Sequence, residues 1–100
     1  MVHVTARRID DGEPLREAMF QRSVGLKALA LRTKAADPVG KGISWQLVSF
    51  LATRHSWARD TTTLRTAHLI ETALEVPEGS LFETITVRDR IERQPEWAAL

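Results

Sequence analysis

The segment Thr63–Phe82 constrains the fold of this chain more than any other. Thr63 stands before a run of apolar residues at helical spacing, so it predicts an amphipathic helix capped by the Thr63 hydroxyl. Val76-Pro77 ends that helix, because proline disfavours the helical conformation in the residue before it. A second, short helix is predicted to follow and to place Leu81-Phe82 in the core. The predicted buried positions of the longer helix are Ala67, Ile70, Ala73 and Leu74.

Three further helices are predicted upstream. The first opens at Glu13-Pro14, since proline is tolerated in a first helical turn, and the second covers roughly Gly25–Lys34. Ala35–Gly42 contains a proline and two glycines, so it is predicted to be a long loop with added flexibility. The third helix starts at Ile43 or Ser44, with Ser44 able to cap it. Its predicted buried stripe is Ile43, Leu47, Val48 and Leu51, with Phe50 at the margin.

The opposite face of the third helix carries hydrogen-bonding residues and no acid. It consists of Trp45, Gln46, Ser49 and Thr53. An ordinary surface helix carries glutamate and lysine at such positions. This face is therefore the candidate for contact with a ligand, and the other interpretation is a solvated polar surface.

Charge is concentrated in the middle of the chain. The whole chain carries +1, but residues 21–66 hold eight basic residues against two acidic ones, a net charge of +6. Residues 67–100 carry −4 and residues 1–20 carry −1. A basic centre with acidic flanks is typical of a surface that binds a polyanion. The alternative is a chance fluctuation on solvated helix faces.

Composition excludes several classes of protein. The absence of cysteine excludes disulfides, thiolate catalysis and cysteine-ligated metals. No apolar run approaches the roughly 20 residues that span a bilayer, and residues 1–10 lack the hydrophobic block of a secretory signal, so a cytoplasmic location is expected. His3, His55 and His68 belong to no metal-binding or catalytic motif. We therefore expect no enzyme, no metal and no other cofactor.

The two ends of the chain alternate in a strand-like way. Met1–Thr5 and Thr84–Arg88 could pair with each other, pair across a dimer, or form frayed tails. Trp97 could pack on the domain or on a partner. The candidates for a dimer contact are Ile85, Val87 and Trp97.

Residues 14–83 resemble the lambda-repressor-like, Xre-type helix-turn-helix family. Leu29-Ala30 matches the Leu-Ala of the family's second helix, and Val48-Ser49 matches the Ile-Ser of its recognition helix. Thr63–Phe82 follows the family's ending, Ala…Ile…Ala-Leu-x-Val-Pro…Leu-Phe. The block from residue 42 to residue 82 is also similar to small regulators of actinobacteria and their phages.

The chain departs from the family pattern in two places. Ala35–Gly42 stands where the family has a tight turn between its second and third helices. Ala52–Arg54 replaces the Glu-x-Gly that often closes the recognition helix. Both departures leave the helices intact and bear on the angle at which the third helix would meet DNA.

The resemblance implies an all-α fold, a five-helix domain at residues 13–83 with a lengthened loop between helices two and three. Residues 1–12 would be an N-terminal arm and residues 84–100 a C-terminal extension. It further implies a transcriptional regulator, expected to be a phage immunity repressor or Cro-like protein, that binds double-stranded DNA as a homodimer with its third helix in the major groove. No small-molecule ligand and no membrane partner are expected.

The resemblance also implies which residues contact DNA. The expected base-reading residues are Ser44, Trp45, Gln46 and Ser49. The expected phosphate-binding residues are Lys27, Arg32, Lys34, Lys41, Arg54 and Arg59. Gln46 is the strongest candidate among the readers, because its amide can pair with adenine through two hydrogen bonds.

Other functions are compatible with the same fold. A protein-binding module, such as an antitoxin or an inhibitor of a host protein, would use Trp45, Phe50 and Trp57 as interface anchors. An excision-directing or architectural role in a phage would still be a DNA-binding function.

Overall fold

A computed structural model of the protein describes residues 2–88. The elements in chain order are β1 (Val2–Arg8), a 3-10 turn (Ile9–Gly12), α1 (Glu13–Gln21), α2 (Leu26–Ala36), α3 (Trp45–Ala52), β2 (Thr61–Thr62), α4 (Leu64–Ala73) and β3 (Phe82–Arg88). The three strands form one antiparallel sheet in the order β2-β1-β3. The described part of the chain thus combines four α-helices with a sheet that pairs strands from its two ends and adds the short internal strand β2 at one edge.

The prediction of an all-α, five-helix domain is therefore wrong. The two strand-like ends pair with each other within the chain, in a register that runs from Val2 opposite Arg88 to Arg8 opposite Phe82. The short helix predicted before Phe82 is absent, and a turn leads directly into β3. In this turn and at the start of β3, backbone amides donate to a glutamate side chain and not to helical carbonyls. Glu71 Oε2 accepts hydrogen bonds from the amides of Gly79 and Leu81 at 3.0 Å and of Phe82 at 3.4 Å.

Capping residues fix the starts of two helices, as the sequence predicts. The Thr63 hydroxyl accepts a hydrogen bond from the amide of Thr66 at 3.1 Å, so α4 begins directly after Thr63. The Ser44 hydroxyl accepts one from the amide of Leu47 at 3.2 Å, which begins α3 in the same way. Proline lies in the first turn of α1, also as predicted.

One core is shared by all four helices and by the inner face of the sheet. The predicted stripes are confirmed on α4 and for the most part on α3, where Val48 and Leu51 are fully buried and Ile43 and Leu47 are partly buried against them. Leu81 and Phe82 are buried, although they lie in a turn and a strand and not in a helix. Among the described helices none is long and apolar enough to cross a membrane.

A left-handed turn joins the sheet to α1. Asp10, Asp11 and Gly12 all have positive φ, at 47°, 53° and 84°. Glycine is needed at the last of these positions for a second reason, because a Cβ there would lie 2.8 Å from the carbonyl oxygen of Leu51. This close approach sets the turn directly against the end of α3.

Candidate nucleic-acid interface

The exposed face of α3 centres on Gln46. At 3.6 residues per turn, Val48 and Leu51 define the buried side of the helix, and Gln46 points away from both. Within residues 2–88 no hydrogen bond engages the Gln46 side chain, whereas the Ser44 oxygen already accepts the amide that begins the helix. Gln46 is thus the predicted base-reading residue whose amide is fully available to a ligand.

Trp45 and Ser49 form the border of this face on the side of α1 and α2. The ammonium nitrogen of Lys27 on α2 lies 5.8 Å from the centre of the Trp45 ring, which is a cation–π distance. Trp45 remains 41% exposed. Ser49 lines a shallow depression with Met19 and Leu26, so it is turned toward the other two helices. Both predicted readers are therefore placed beside Gln46 and at the margin of the exposed face.

Phe50 forms the opposite border of the face. Its ring meets Trp57 edge to face, with centroids 5.5 Å apart, and His55 stacks on Trp57 at 5.2 Å. The guanidinium carbon of Arg59 lies 5.7 Å from the centre of the Phe50 ring, and the Arg59 amide donates to the Phe50 carbonyl at 2.8 Å. Gln46 accordingly lies on a strip of α3 between two cation–aromatic pairs.

Both acidic residues of the basic central segment are bonded to arginines. The Asp37 side chain is almost completely buried and forms an ion pair with Arg65. Asp60 accepts a hydrogen bond from Arg8 Nε at 3.0 Å. Their negative charges are therefore opposed locally, and neither acid stands unpaired beside the face of α3.

The loop before α3 is organised around the Asp37 carboxylate. Asp37 Oδ1 accepts the amide of Val39 at 3.0 Å, and Oδ2 accepts those of Lys41 at 3.1 Å and Gly42 at 2.9 Å. These bonds, first that from Gly42 and then that from Val39, hold the pKa of the Asp37 carboxyl below its usual value. A Cβ at Gly42 would lie 2.6 Å from the amide nitrogen of Lys34. The loop is thus a compact structure, held by the Asp37 carboxylate and packed on α2 at Lys34.

Five of the six predicted phosphate-binding residues are exposed cations with no acidic partner within the described part of the chain. Lys27, Arg32 and Lys34 lie on α2, Lys41 lies in the loop before α3, and Arg59 lies after α3. The hydrogen-bonding groups of Gln46 and the cations therefore occupy neighbouring segments. Together they make a surface suited to a polyanion that presents both charge and polar edges.

The sixth predicted phosphate-binding residue, Arg54, is differently placed. It forms an ion pair with Glu13 at the start of α1, and Arg16 donates to the same carboxylate at 2.9 Å. The hydrogen bond from Arg16, followed by that from Arg54, holds the pKa of Glu13 below its usual value. Arg54 would have to leave Glu13 before it could bind a phosphate.

Two of the three predicted dimerisation residues lie on β3. Ile85 is half-buried opposite Thr5, and Val87 lies opposite His3 in the register of the sheet. Trp97 lies outside the described residues. In the described region β3 pairs with β1 alone, so its outer edge has no strand partner there.

Sequence reasoning missed two structural side chains that shape this surface. The role of Asp37 was not predicted, although an aspartate that directly follows a helix and precedes glycines often binds backbone amides. No role was predicted for Arg8 either, although it lies two residues after the buried Ala6 on the same strand and so belongs to the same, inner face.

In residues 2–88 no group of three or more histidine or acidic side chains could hold a metal ion. His68 is exposed to solvent.

Comparison with known proteins gives no relative: no family model matches this chain, and neither a curated protein nor a solved structure matches it.

Proposed function

We propose that the protein is a sequence-specific DNA-binding regulator of transcription that places α3 in the major groove. The observation that carries the proposal is the acid-free strip of α3 around Gln46, bordered by the Lys27–Trp45 and Arg59–Phe50 pairs. A major groove offers hydrogen-bonding base edges between two rows of phosphates. A polar helix face flanked on both sides by cations is complementary to that arrangement.

In this proposal Gln46 reads base edges, and the exposed cations hold the phosphates. A glutamine amide can both donate and accept, so it can pair with adenine through two hydrogen bonds, worth roughly 1–3 kcal/mol of discrimination. Trp45 and Ser49 support the reading from the margin of the face. The five exposed cations bind phosphates and so supply affinity that does not depend on the DNA sequence. They are Lys27, Arg32, Lys34, Lys41 and Arg59.

The protein acts as a homodimer and as a repressor in the cytoplasm of a bacterial host, in the manner of a phage immunity or Cro-like regulator. A two-fold site doubles the number of base contacts that one small domain can make. The outer edge of β3, with Ile85 half-buried on that strand, is the part of the described chain that supports self-association.

Binding to duplex DNA at two salt concentrations tests the proposal. The probes are the DNA that flanks the protein's own gene and a pool of random-sequence duplexes, each measured at about 50 and 200 mM salt. We expect selection of one sequence from the pool and a steep loss of affinity at the higher salt, because displaced counterions drive the association. Binding that does not change with salt would contradict the proposal.

Two substitutions separate reading from charge. Gln46→Ala should abolish the preference for the selected sequence and leave the salt dependence intact, since alanine preserves the helix and no cation is lost. Lys41→Gln should weaken binding to all sequences and reduce the slope of log affinity against log salt by about 1. Identical behaviour of the two variants would remove the assignment of α3 as the reading helix.

The second candidate function is binding to a protein, as an antitoxin or an inhibitor of a host protein. The aromatic group of Phe50, His55 and Trp57 favours it, because Trp57 is 51% exposed and aromatic side chains often dominate protein interfaces. Such binding would be lost in Trp57→Ala, kept in Gln46→Ala and only weakly sensitive to salt. DNA recognition in a phage excision or architectural role would instead share the salt dependence of the first proposal.

A further inference from the structure

The carboxyl end of α3 is bound by an arginine from the sheet. Arg8 is the last residue of β1 and its side chain is only 5% exposed. Its Nη1 atom donates to the carbonyl of Leu51 at 3.1 Å and to that of Thr53 at 2.6 Å. Its Nε atom donates to Asp60 at 3.0 Å, which fixes the plane of the guanidinium. One side chain thus connects the sheet, the end of α3 and the segment that follows it.

A second arginine binds the carbonyl that lies between those two. Arg16 of α1 donates from Nη1 to the carbonyl of Ala52 at 2.7 Å and to that of Asp11 at 2.7 Å. Gly12 lies between the two guanidinium groups, and a Cβ at this position would lie 3.0 Å from an Nη1 atom of each arginine. Three consecutive carbonyls at the end of α3 are therefore bound by two charged donors that belong to other elements.

The last carbonyls of a helix need such partners. No amide within the helix donates to them, and the helix dipole places partial negative charge on them. Basic residues of the helix's own last turn often neutralise that charge, but α3 has none. Because the donors come from β1 and α1, they also fix where the end of α3 lies relative to the rest of the molecule. The core contacts of Val48 and Leu51 hold the buried side of α3, and the two arginines hold its carboxyl end.

We infer that Arg8 and Arg16 are positioning residues for α3, which set the angle at which its exposed face meets a ligand. The effect on DNA reading rests on the proposed function. The hydrogen bonds by which the arginines hold α3 do not depend on that function. Gln46 lies less than two turns from the bound carbonyls, so a tilt of the helix end moves its amide relative to a base edge. Reading of sequence depends on that register, whereas phosphate binding by cations on α2 and in the loop does not.

The test compares Arg8→Lys and Arg16→Lys with the wild type in two measurements. Lysine keeps the charge but cannot reproduce the forked, planar set of hydrogen bonds. In the free protein, we expect the amides of Val48–Ala52 to exchange with solvent about tenfold faster in each variant, while those of Leu69–Ala73 in α4 keep their rates. In DNA binding, we expect the ratio of affinities for the selected and random duplexes to fall about tenfold, the equivalent of one lost base contact. The salt dependence should stay unchanged.

Glu71→Gln is the matched control. It weakens a buried set of hydrogen bonds at the turn before β3, away from α3, so it lowers stability without releasing the end of the helix. All variants are measured at a temperature at which each is folded by circular dichroism. An unchanged affinity ratio in both arginine variants would overturn the inference for DNA reading, as would an equal fall in Glu71→Gln.

The two measurements separate the inference from the proposed function. If the wild type selects no DNA sequence, the proposed function fails, and amide exchange alone decides whether the arginines hold α3. Faster exchange confined to α3 supports the positioning role. Equal exchange rates in the wild type and both variants overturn it whatever the result with DNA.

Discussion

The loop Asp37–Ser44 before α3 and the turn Val76–Leu81 after α4 are both organised by a buried carboxylate that accepts three backbone hydrogen bonds. In the loop the carboxylate belongs to Asp37, the first residue of the loop itself, and Arg65 pairs with it. In the turn it belongs to Glu71 of the preceding helix, which uses one oxygen for all three amides. No basic side chain of residues 2–88 forms a salt bridge with Glu71.

The loop and the turn differ in the sequence distance between the carboxylate and the amides that it binds. Asp37 binds amides two to five residues ahead of it, so a short stretch of sequence contains nearly all of the information for that loop. Glu71 binds amides eight to eleven residues away, and the turn that it holds is completed only when β3 pairs with β1 at the other end of the chain. The first structure positions a candidate binding helix, and the second converts an expected helix into the start of a strand.

The largest expected effect comes from removing the carboxylate of the turn. Glu71→Ala leaves three amides without an acceptor, two of them in buried residues, and we expect it to lower the free energy of unfolding by about 4 kcal/mol. Urea unfolding of the variant and the wild type would measure this. Glu78→Ala, an exposed glutamate in the same turn, is the control and should change stability by less than about 0.5 kcal/mol. Equal losses in the two variants would show that the hydrogen bonds of Glu71 are not the cause.

The next effect comes from the glycines of the loop. Gly42→Ala places a Cβ against the backbone of Lys34 and also imposes a φ of +61° on alanine, so we expect a loss of about 3 kcal/mol. Gly40→Ala has the same kind of φ, +78°, but its Cβ would meet no atom within 4 Å. It should therefore cost only about 1 kcal/mol, for the backbone conformation alone. A loop that is mobile in solution would show the same small loss in both variants.

Acidification should weaken the loop that the Asp37 carboxylate organises. The pKa of Asp37 lies below its usual value of about 3.8 in the folded protein, so its charged form stabilises the fold. That contribution is complete at a pH above the pKa of Asp37 in the unfolded chain, and it is lost as the pH falls through the pKa in the folded protein. Asp37→Asn should therefore be less stable than the wild type at pH 7, and the difference should shrink as the pH falls below about 3.8 and the wild type loses its advantage.

Thermal unfolding midpoints of the two proteins at several pH values in this range would measure the effect. Glu75→Gln, which removes an exposed acid after α4, is the control for the general effect of one charge. A difference between Asp37→Asn and the wild type that stays constant with pH would contradict the assignment.

The smallest effect is expected from the arginine that pairs with Asp37. Half of the Arg65 side chain is exposed, and ion pairs with an exposed partner contribute little in water. Arg65→Ala should lower Tm by only about 2 °C, with a smaller effect still at high salt. A loss as large as that of Gly42→Ala would mean that Arg65, and not the backbone amides, is the main partner of Asp37.

The parts of the fold that the sequence predicted are those that depend on near neighbours. Ser44 and Thr63 cap helices through amides three residues ahead, and the helical spacing of Val48 and Leu51 identifies the buried side of α3. The same pattern identified the exposed face around Gln46. These predictions need no knowledge of what the helix packs against, because a local hydrogen bond or a repeating apolar pattern is sufficient.

The predictions that failed required knowledge of distant segments. The strand character of the chain ends was visible, but only pairing of β1 with β3 decides between a sheet and frayed tails, and that pairing joins residues more than 70 positions apart. The resemblance to an all-helical family favoured a helix before Phe82, and that preference was overridden by the sheet and by Glu71. The proposal of DNA binding now rests on the exposed face of α3 and the cations around it, and not on the all-helical fold.

The sequence alone is enough to predict where most helices begin, which sides of α3 and α4 are buried, and which segment carries the positive charge. The tertiary structure decided that the chain ends form a sheet, that Asp37 makes the loop before α3 compact, and that Arg8 and Arg16 bind the end of α3. The physical reason is that a cap or an apolar stripe gains its free energy within a few residues. A buried ion or a strand pair gains it only after the chain has brought distant groups together and removed them from water.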